Sequence, residues 1–310
     1  MYVSKTIHGG PRLADQELAK LVVSAQSKAA PDRLLTDLIQ EFLALRERQG
    51  IGIKTSDAYR TLLRNHVSPR LGRYKIAKLR PGDLDHKYGV MAAQGIGTST
   101  IEHVHRLVRA ALIQAVKWEW LDRNAAALAS PPSTGCTVVT APSPAELQEI
   151  VAKVATGSAQ MANLLALLAL TGARRGEIAA LRWSDYYFQA RMLTISKSVG
   201  YTATSGIFVK ATKTNKIRRI SIDETAAAVI VSQMDELKTH VELGFDLAPD
   251  PYLFAGDPGG FQSIHPDVPS KAFRRACQSL GLPYHLPQLR HFAATDLSPR
   301  GSIRLRLLRG

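Results

Sequence analysis

Residues 168–186 read LALTGARRGEIAALRWSDY. The apolar run Leu164–Leu170 that leads into this stretch has no polar face, as in a helix buried on all sides. Gly172 stands where a glycine closes a helix in the left-handed conformation. Arg174 and Arg175 follow at the start of a short helix, with Glu177 one turn on and Leu181 and Trp183 behind as core anchors. An arginine on so rigid a base has little rotamer freedom left to lose, which suits a charge clamp. Two readings are open: Arg174 fixes an anion, or an Arg174–Glu177 pair only braces the fold.

Downstream the pattern turns to short β-like runs, MLTIS (192–196), GIFVK (206–210) and IRRISI (217–222), the last two joined by ATKTNK. They read as a hairpin with Lys213 at its tip. Such a lysine is either solvated or swung into a cleft, where it could give a proton to a leaving oxygen. Asp223 caps a long helix reaching Leu243, PYLF and a Gly-rich loop follow, and another helix spans about Pro269 to Leu280. Gln288-Leu289-Arg290-His291 then opens a helix with Ala293 and Ala294, small enough for close packing. Two arginines and a lysine without a carboxylate cluster or metal-ligand spacing suit a phosphodiester held by protein cations alone.

Upstream, about Arg33 to Pro132 is helical throughout, with turns at Gly50–Gly52, Pro69–Gly72, Pro81–Gly82 and Gly95–Gly97, giving four helices. The second places Arg60 and Arg64 on one side, with Tyr59, Leu62 and Leu63 facing the other way. The fourth opens with Ser99-Thr-Ile-Glu102, a capping-box pattern. Its apolar positions Ile101, Val104, Val108, Leu112, Ala115 and Val116 leave a face of His103, Arg106, Gln114 and Lys117, which either lies on phosphates or is solvated. SPPSTGCTVVTAPSP, between Ala129 and Pro144, reads as an extended linker. Residues 1–31 hold a β-like stretch, Tyr2 to Ile7, a GGP turn and the helix-like ADQELAKLVVSAQ, too little for a core of their own.

The 310 residues carry 40 Lys and Arg against 26 Asp and Glu, a formal charge of +14. That excess fits a polyanionic partner, although a basic surface on an ordinary enzyme gives the same sum. No apolar run is long enough to span a membrane, and the N-terminus lacks the apolar core of a signal peptide. Cys136 and Cys277 stand far apart in no ligand spacing, so a reducing compartment is expected and a zinc site is not.

The three motifs together resemble the tyrosine recombinases of phage-integrase type, over nearly the whole chain. TGARRGEIAALRWSDY is similar to that family's first arginine box, TKTNKIRRISI to its catalytic-lysine hairpin, and LPQLRHFAAT to its second arginine box; WEWLDRNAAALASPPS is similar to the end of its core-binding domain. The resemblance implies a mainly α fold with a small β-sheet. It divides the chain into a partial arm-type DNA-binding module (1–31), a helical core-binding domain (32–132), a linker (133–145) and an α+β catalytic domain (146–310), truncated after about 297. It implies DNA integration and recombination by phosphotyrosyl strand exchange, with Arg174 and Arg290 clamping phosphoryl oxygens, Lys213 protonating the leaving 5′-oxygen and His291 supporting the site. Double-stranded DNA is the implied partner, reached through Arg60, Arg64, His103, Arg106 and Lys117. A homo-tetramer on DNA and a reaction without metal or cofactor follow in the same way, while the lack of an export signal or membrane-length apolar run leads to the expectation of a cytoplasmic protein with no membrane partner.

Two departures stand out. Where the family has a histidine three positions before the second arginine, this chain has Pro287, which offers neither a titratable group nor an N–H; His285 lies two residues earlier. After Leu297 the family continues to its nucleophilic tyrosine, whereas this sequence ends in SPRGSIRLRLLRG and has no tyrosine after Tyr284. Tyr186 and Tyr187 are expected to be core or surface residues. A chain without its nucleophile is expected to be catalytically defective, the alternative being a DNA-binding protein that occupies recombination sites without cutting. The terminal stretch reads either as the product of a frameshift or as a divergent basic tail.

Overall fold

The computed structural model describes Gly10 and residues 32–133, 135, 140–212 and 216–296, with side chains through 293. The expected arm-type segment, Lys213 and the C-terminal stretch therefore lie outside the described residues. The chain divides into two compact units, Met1–Cys136 and Thr137–Gly310.

In the first unit α1 (Leu35–Arg48), α2 (Ile53–Leu62), α3 (Pro81–Ala93) and α4 (Thr98–Lys117) form a helical bundle. Leu35, Leu38, Ile39 and Phe42 recur at three- and four-residue spacing on α1 and meet the buried stripe Ile101, Val104, Val108, Leu112 and Ala115 of α4. Each such leucine or isoleucine contributes about 1.5–3 kcal/mol of transfer free energy. The bundle also buries His105, whose Nδ1 lies 3.3 Å from the Tyr88 hydroxyl; burial lowers the His105 pKa. After Leu62 the chain does not stop but makes a π-helical turn, Leu63–Val67, followed by a single helical turn, Ser68–Arg70.

One detail of α4 differs from the capping pattern expected at Ser99. The helix begins two residues earlier, at Thr98, with Gly97 as its N-cap and no side-chain cap. Glu102 is thereby the fifth helical residue, two positions too deep to reach the cap, and its carboxylate bonds Arg106 four residues on instead.

In the second unit α6 (Ala159–Thr171) is the central helix, buried from Met161 to Ala169 and wrapped by α5 (Pro144–Ala155), α8 (Glu224–Glu242), α9 (Val268–Ser279) and α10 (Leu289–Asp296). Ser143 and Glu146 form a reciprocal capping box at the start of α5, and the Asp223 carboxylate accepts the Ala226 N–H at the start of α8. Gly172 ends α6 at φ 61°, and the four-residue helix α7 (Arg175–Ile178) follows.

Strands β1 (Tyr186–Tyr187), β2 (Met192–Ile195) and β5 (Arg218–Ser221) make one antiparallel sheet in the order β1-β2-β5, with Ile195 opposite Arg218. Strands β3 (Lys197–Thr202) and β4 (Gly206–Ala211) make a separate two-stranded ribbon. The runs at 206–210 and 217–222 are thus not partners in a hairpin, contrary to the sequence expectation. β4 pairs instead with KSVGYT (197–202), a run whose Gly and Ser hid its strand character. Residues 203–205 close that ribbon, helped by the Ser205 N–H donating to Thr202 Oγ1 at 3.0 Å and by Gly206 at φ 65°. A short local closure wins over the longer one through ATKTNK.

Candidate functional site

The two arginine boxes meet at one cavity. Leu168, Ala173, Arg174, Arg175, Ser270, Leu286, Pro287, Leu289 and Arg290 enclose about 320 Å³. Arg290 comes to it from the first turn of α10, where its Nε–H donates to the Gly172 carbonyl at 2.9 Å. That carbonyl belongs to the C-cap of α6, so Arg290 sits where the helix dipole favours a cation. A Cβ at Gly172 would lie 3.1 Å from the Ala293 Cβ, so the glycine also lets α10 approach.

Arg174 reaches the same cavity as the N-cap of α7. Its backbone N–H donates to Glu177 Oε2 and its Nη1 to Glu177 Oε1, both at 2.8 Å. Arg218, on β5, donates to the same carboxylate through Nη2 at 2.7 Å and Nη1 at 3.2 Å. Glu177 has no exposed side-chain surface, whereas Arg174 keeps 36% of its own. Burial alone would push the Glu177 carboxyl up. The hydrogen bonds from Arg218 and from the Arg174 backbone and side chain outweigh it and bring the group down to about 2. The bracing pair and the cavity-facing guanidinium are therefore one arrangement, not two. α7 lies against β3 through Gly176, where a Cβ would come within 2.5 Å of the Val199 carbonyl.

Arg175, Arg218 and Ser270 were not singled out in the sequence. Arg175 Nη1 donates to Ser270 Oγ at 2.5 Å and Nη2 meets Asp267 Oδ1 at 3.0 Å, tying α7 to the start of α9. Only its place beside Arg174 could have pointed to Arg175. Arg218 is half of an Arg-Arg pair on a strand, with nothing local to name its partner 41 positions away.

Of the other expected residues, Pro287 lines the cavity and His285 does not. His285 is exposed and caps the 3-10 turn Leu286–Gln288, its backbone N–H donating to Gln288 Oε1. His291 is exposed on α10 and is not among the residues that enclose the cavity. Tyr186 is buried in the core against Phe188, and Tyr187 is exposed. The Tyr284 hydroxyl donates to Glu146, 3.1 Å from each carboxylate oxygen.

On the helical unit Arg60 and Arg64 line one groove with Gln40, Leu43, Ala44, Leu63 and Ser68. Arg60 is held by Glu47 through Nε at 2.9 Å and Nη2 at 2.8 Å, and Arg64 Nε donates to Asn65 Oδ1 at 3.2 Å. On α4 His103, Arg106 and Lys117 are all exposed, with Arg106 paired to Glu102. Among the described residues no helix is long and apolar enough to cross a membrane.

The sequence profile of the phage integrase family matches residues 143–305. This chain belongs to that family, the tyrosine recombinases. Among solved structures it is similar to the Tn1549 transposon integrase in complex with a circular intermediate DNA, at 18% identity over 86% of this chain and 87% of that one, with a TM-score of 0.71. It is similar also to lambda integrase: a dimer bound to a COC′ core site, at 14% identity over 84% and 88% with a TM-score of 0.63, and a tetramer bound to a Holliday junction, at 14% over 93% and 80% with a TM-score of 0.64. These likenesses establish a mainly α fold with small antiparallel sheets. Comparison with curated proteins gave no match.

Proposed function

We propose that this chain binds duplex DNA as a site-specific recombinase of its family does, with Arg174 and Arg290 clamping the non-bridging oxygens of one phosphodiester. The observation that carries this reading is the convergence of guanidiniums from two distant boxes on a single cavity. Two planar forks lining one cavity suit the oxygens of a phosphodiester better than lone ammoniums do. The net charge of +14 fits the partner, and the DNA-bound Tn1549 and lambda integrases share the fold. Lys213, just before the strand that carries Arg218, is proposed as the acid for the leaving 5′-oxygen, and His291 as a support beside Arg290. Arg60, Arg64, His103, Arg106 and Lys117 are proposed as backbone contacts of the helical unit, 32–132, with 133–145 as linker and 146–310 as the catalytic unit. A tetramer on cytoplasmic DNA is the proposed assembly.

Strand cleavage needs a tyrosine oxygen to attack phosphorus while the 5′-oxygen leaves with a proton. The sequence has none after Tyr284, and Pro287 brings no titratable group to the cavity. We therefore propose binding without cutting by these 310 residues, with incision requiring a tyrosine from outside them. The test is to incubate the protein with nicked duplex DNA and resolve native and denaturing gels side by side. A native shift without a denaturant-stable adduct is expected, weakening steeply as salt rises. An adduct refutes the non-cutting half of the proposal, and a salt-insensitive complex refutes the phosphate clamp.

A further inference from the structure

One buried carboxylate stands between two arginines, and they do not share it equally. Glu177 receives two side-chain donors from Arg218 and one from Arg174. Among the described residues no acceptor meets Nε or Nη2 of Arg174, and that side chain is over a third exposed at the cavity. Arg218 is as exposed, at 35%, but does not line the cavity. Two guanidiniums on one carboxylate leave a surplus of one positive charge, and geometry puts it on the arginine that faces the opening. If Arg218 were absent, Arg174 would be the sole counterion of a carboxylate with no access to water. Its fork would be drawn inward, because an unpaired buried charge costs more than a lost surface contact.

We propose that Arg218 is a positioning residue for the anion clamp: by neutralising Glu177 from the β5 side it turns the Arg174 guanidinium outward to the ligand. This deepens the clamp reading above and rests on it. Arg218 also links two parts of the site. It lies opposite Ile195 in the sheet, and two residues upstream the Lys216 carbonyl accepts from Thr212 Oγ1 at 2.9 Å. The strand that carries Arg218 is thus bolted to the carboxylate under Arg174.

The experiment measures binding of the full chain to fluorescent duplex DNA for Arg218→Met, Arg218→Lys, Arg174→Met, Arg290→Met and the double variant Glu177→Gln with Arg218→Met, with melting curves for each. In the double variant the side-chain amide at position 177 would still accept the Arg174 backbone N–H but would need no counterion. Arg174→Met is expected to weaken binding about tenfold, the loss of one charge-assisted contact. Arg218→Met is expected to weaken it about three- to tenfold and Arg218→Lys by less, and the double variant is expected to recover to within about twofold of the parent. Recovery in variants that melt as the parent does is the decisive reading: a direct DNA contact of Arg218 would not be restored by deleting the carboxylate, and a fold brace would show in the melting curves rather than in binding. If the double variant stays as weak as Arg218→Met, or if Arg218→Met binds as the parent does while Arg174→Met is weak, the positioning role is wrong. If Arg174→Met and Arg290→Met both bind like the parent, the clamp itself is wrong.

Discussion

Arg60 and Arg174 each grip a glutamate, yet the two pairs do opposite things. Arg60 is 62% exposed and its partner Glu47 33%, so water screens the attraction and little holds the pair together. Glu177 is fully enclosed, fixed by a second arginine and by a backbone N–H, and cannot leave. A surface pair of this kind is a resting state that a phosphate can displace. The buried one is a mount, and what it mounts is the free side of Arg174. The same two residue types therefore make a loosely held pair in the helical unit and a fixed one in the α+β unit, and burial, a second arginine and a backbone donor separate them.

The contrast is broken most directly by removing each acid in turn. Glu177→Ala is expected to destabilise the protein by about 3–5 kcal/mol in urea unfolding, because two partly buried guanidiniums lose their counterion. Glu47→Ala should cost no more than about 1 kcal/mol. Equal losses would mean that burial is not what distinguishes the pairs. Next in size, Gly172→Ala forces a side chain onto a left-handed backbone and into Ala293. It should cost about 1–2 kcal/mol and shift the carbonyl that holds Arg290, weakening DNA binding beyond what the melting change explains.

Acid sharpens the comparison further. Glu177 is held below its ordinary value, so its stabilisation is complete above about 4.5 and is lost as pH falls towards about 2. Unfolding followed over that window should show a steep decline that Glu177→Gln flattens. His105 acts in the other unit and at higher pH. Its pKa is also lowered, so the bundle should lose stability as pH falls below the ordinary histidine value, and His105→Gln should reduce that slope, with His66, lowered by burial in the same unit, supplying the remainder. The smallest effect expected is a gain: Glu47→Gln frees Arg60 and should tighten duplex binding about two- to threefold at low salt. Unchanged affinity there would remove Arg60 from the proposed DNA face.

Where the sequence was readable, the signal was local. Gly172 and the apolar run before it define the end of α6 within a few residues, and the α4 stripe from Ile101 to Ala115 carries its own period. Where reading failed, two local solutions competed and tertiary structure chose. Thr98 and Ser99 both look like helix starts, and ATKTNK looks as much like a hairpin turn as the Thr202–Gly206 closure that forms. Arg218 was silent for a different reason: its meaning lies in a carboxylate on another element. Arg174 and Arg290 were legible as motifs, but that Pro287 rather than His285 lines the cavity with them required the turn at Leu286–Gln288 to be seen.

The hold of the Gly172 carbonyl on Arg290 makes the proposed clamp insensitive to most of the chain that separates its jaws. One arginine is hung from residue 172 and the other issues from residue 174, so the gap between them is gauged by a single backbone turn. Insertions in the surface loops between α7 and α10 can lengthen the protein without widening the jaws. One residue added between Thr171 and Arg174 would misalign both at once, so that four-residue segment has little freedom to drift.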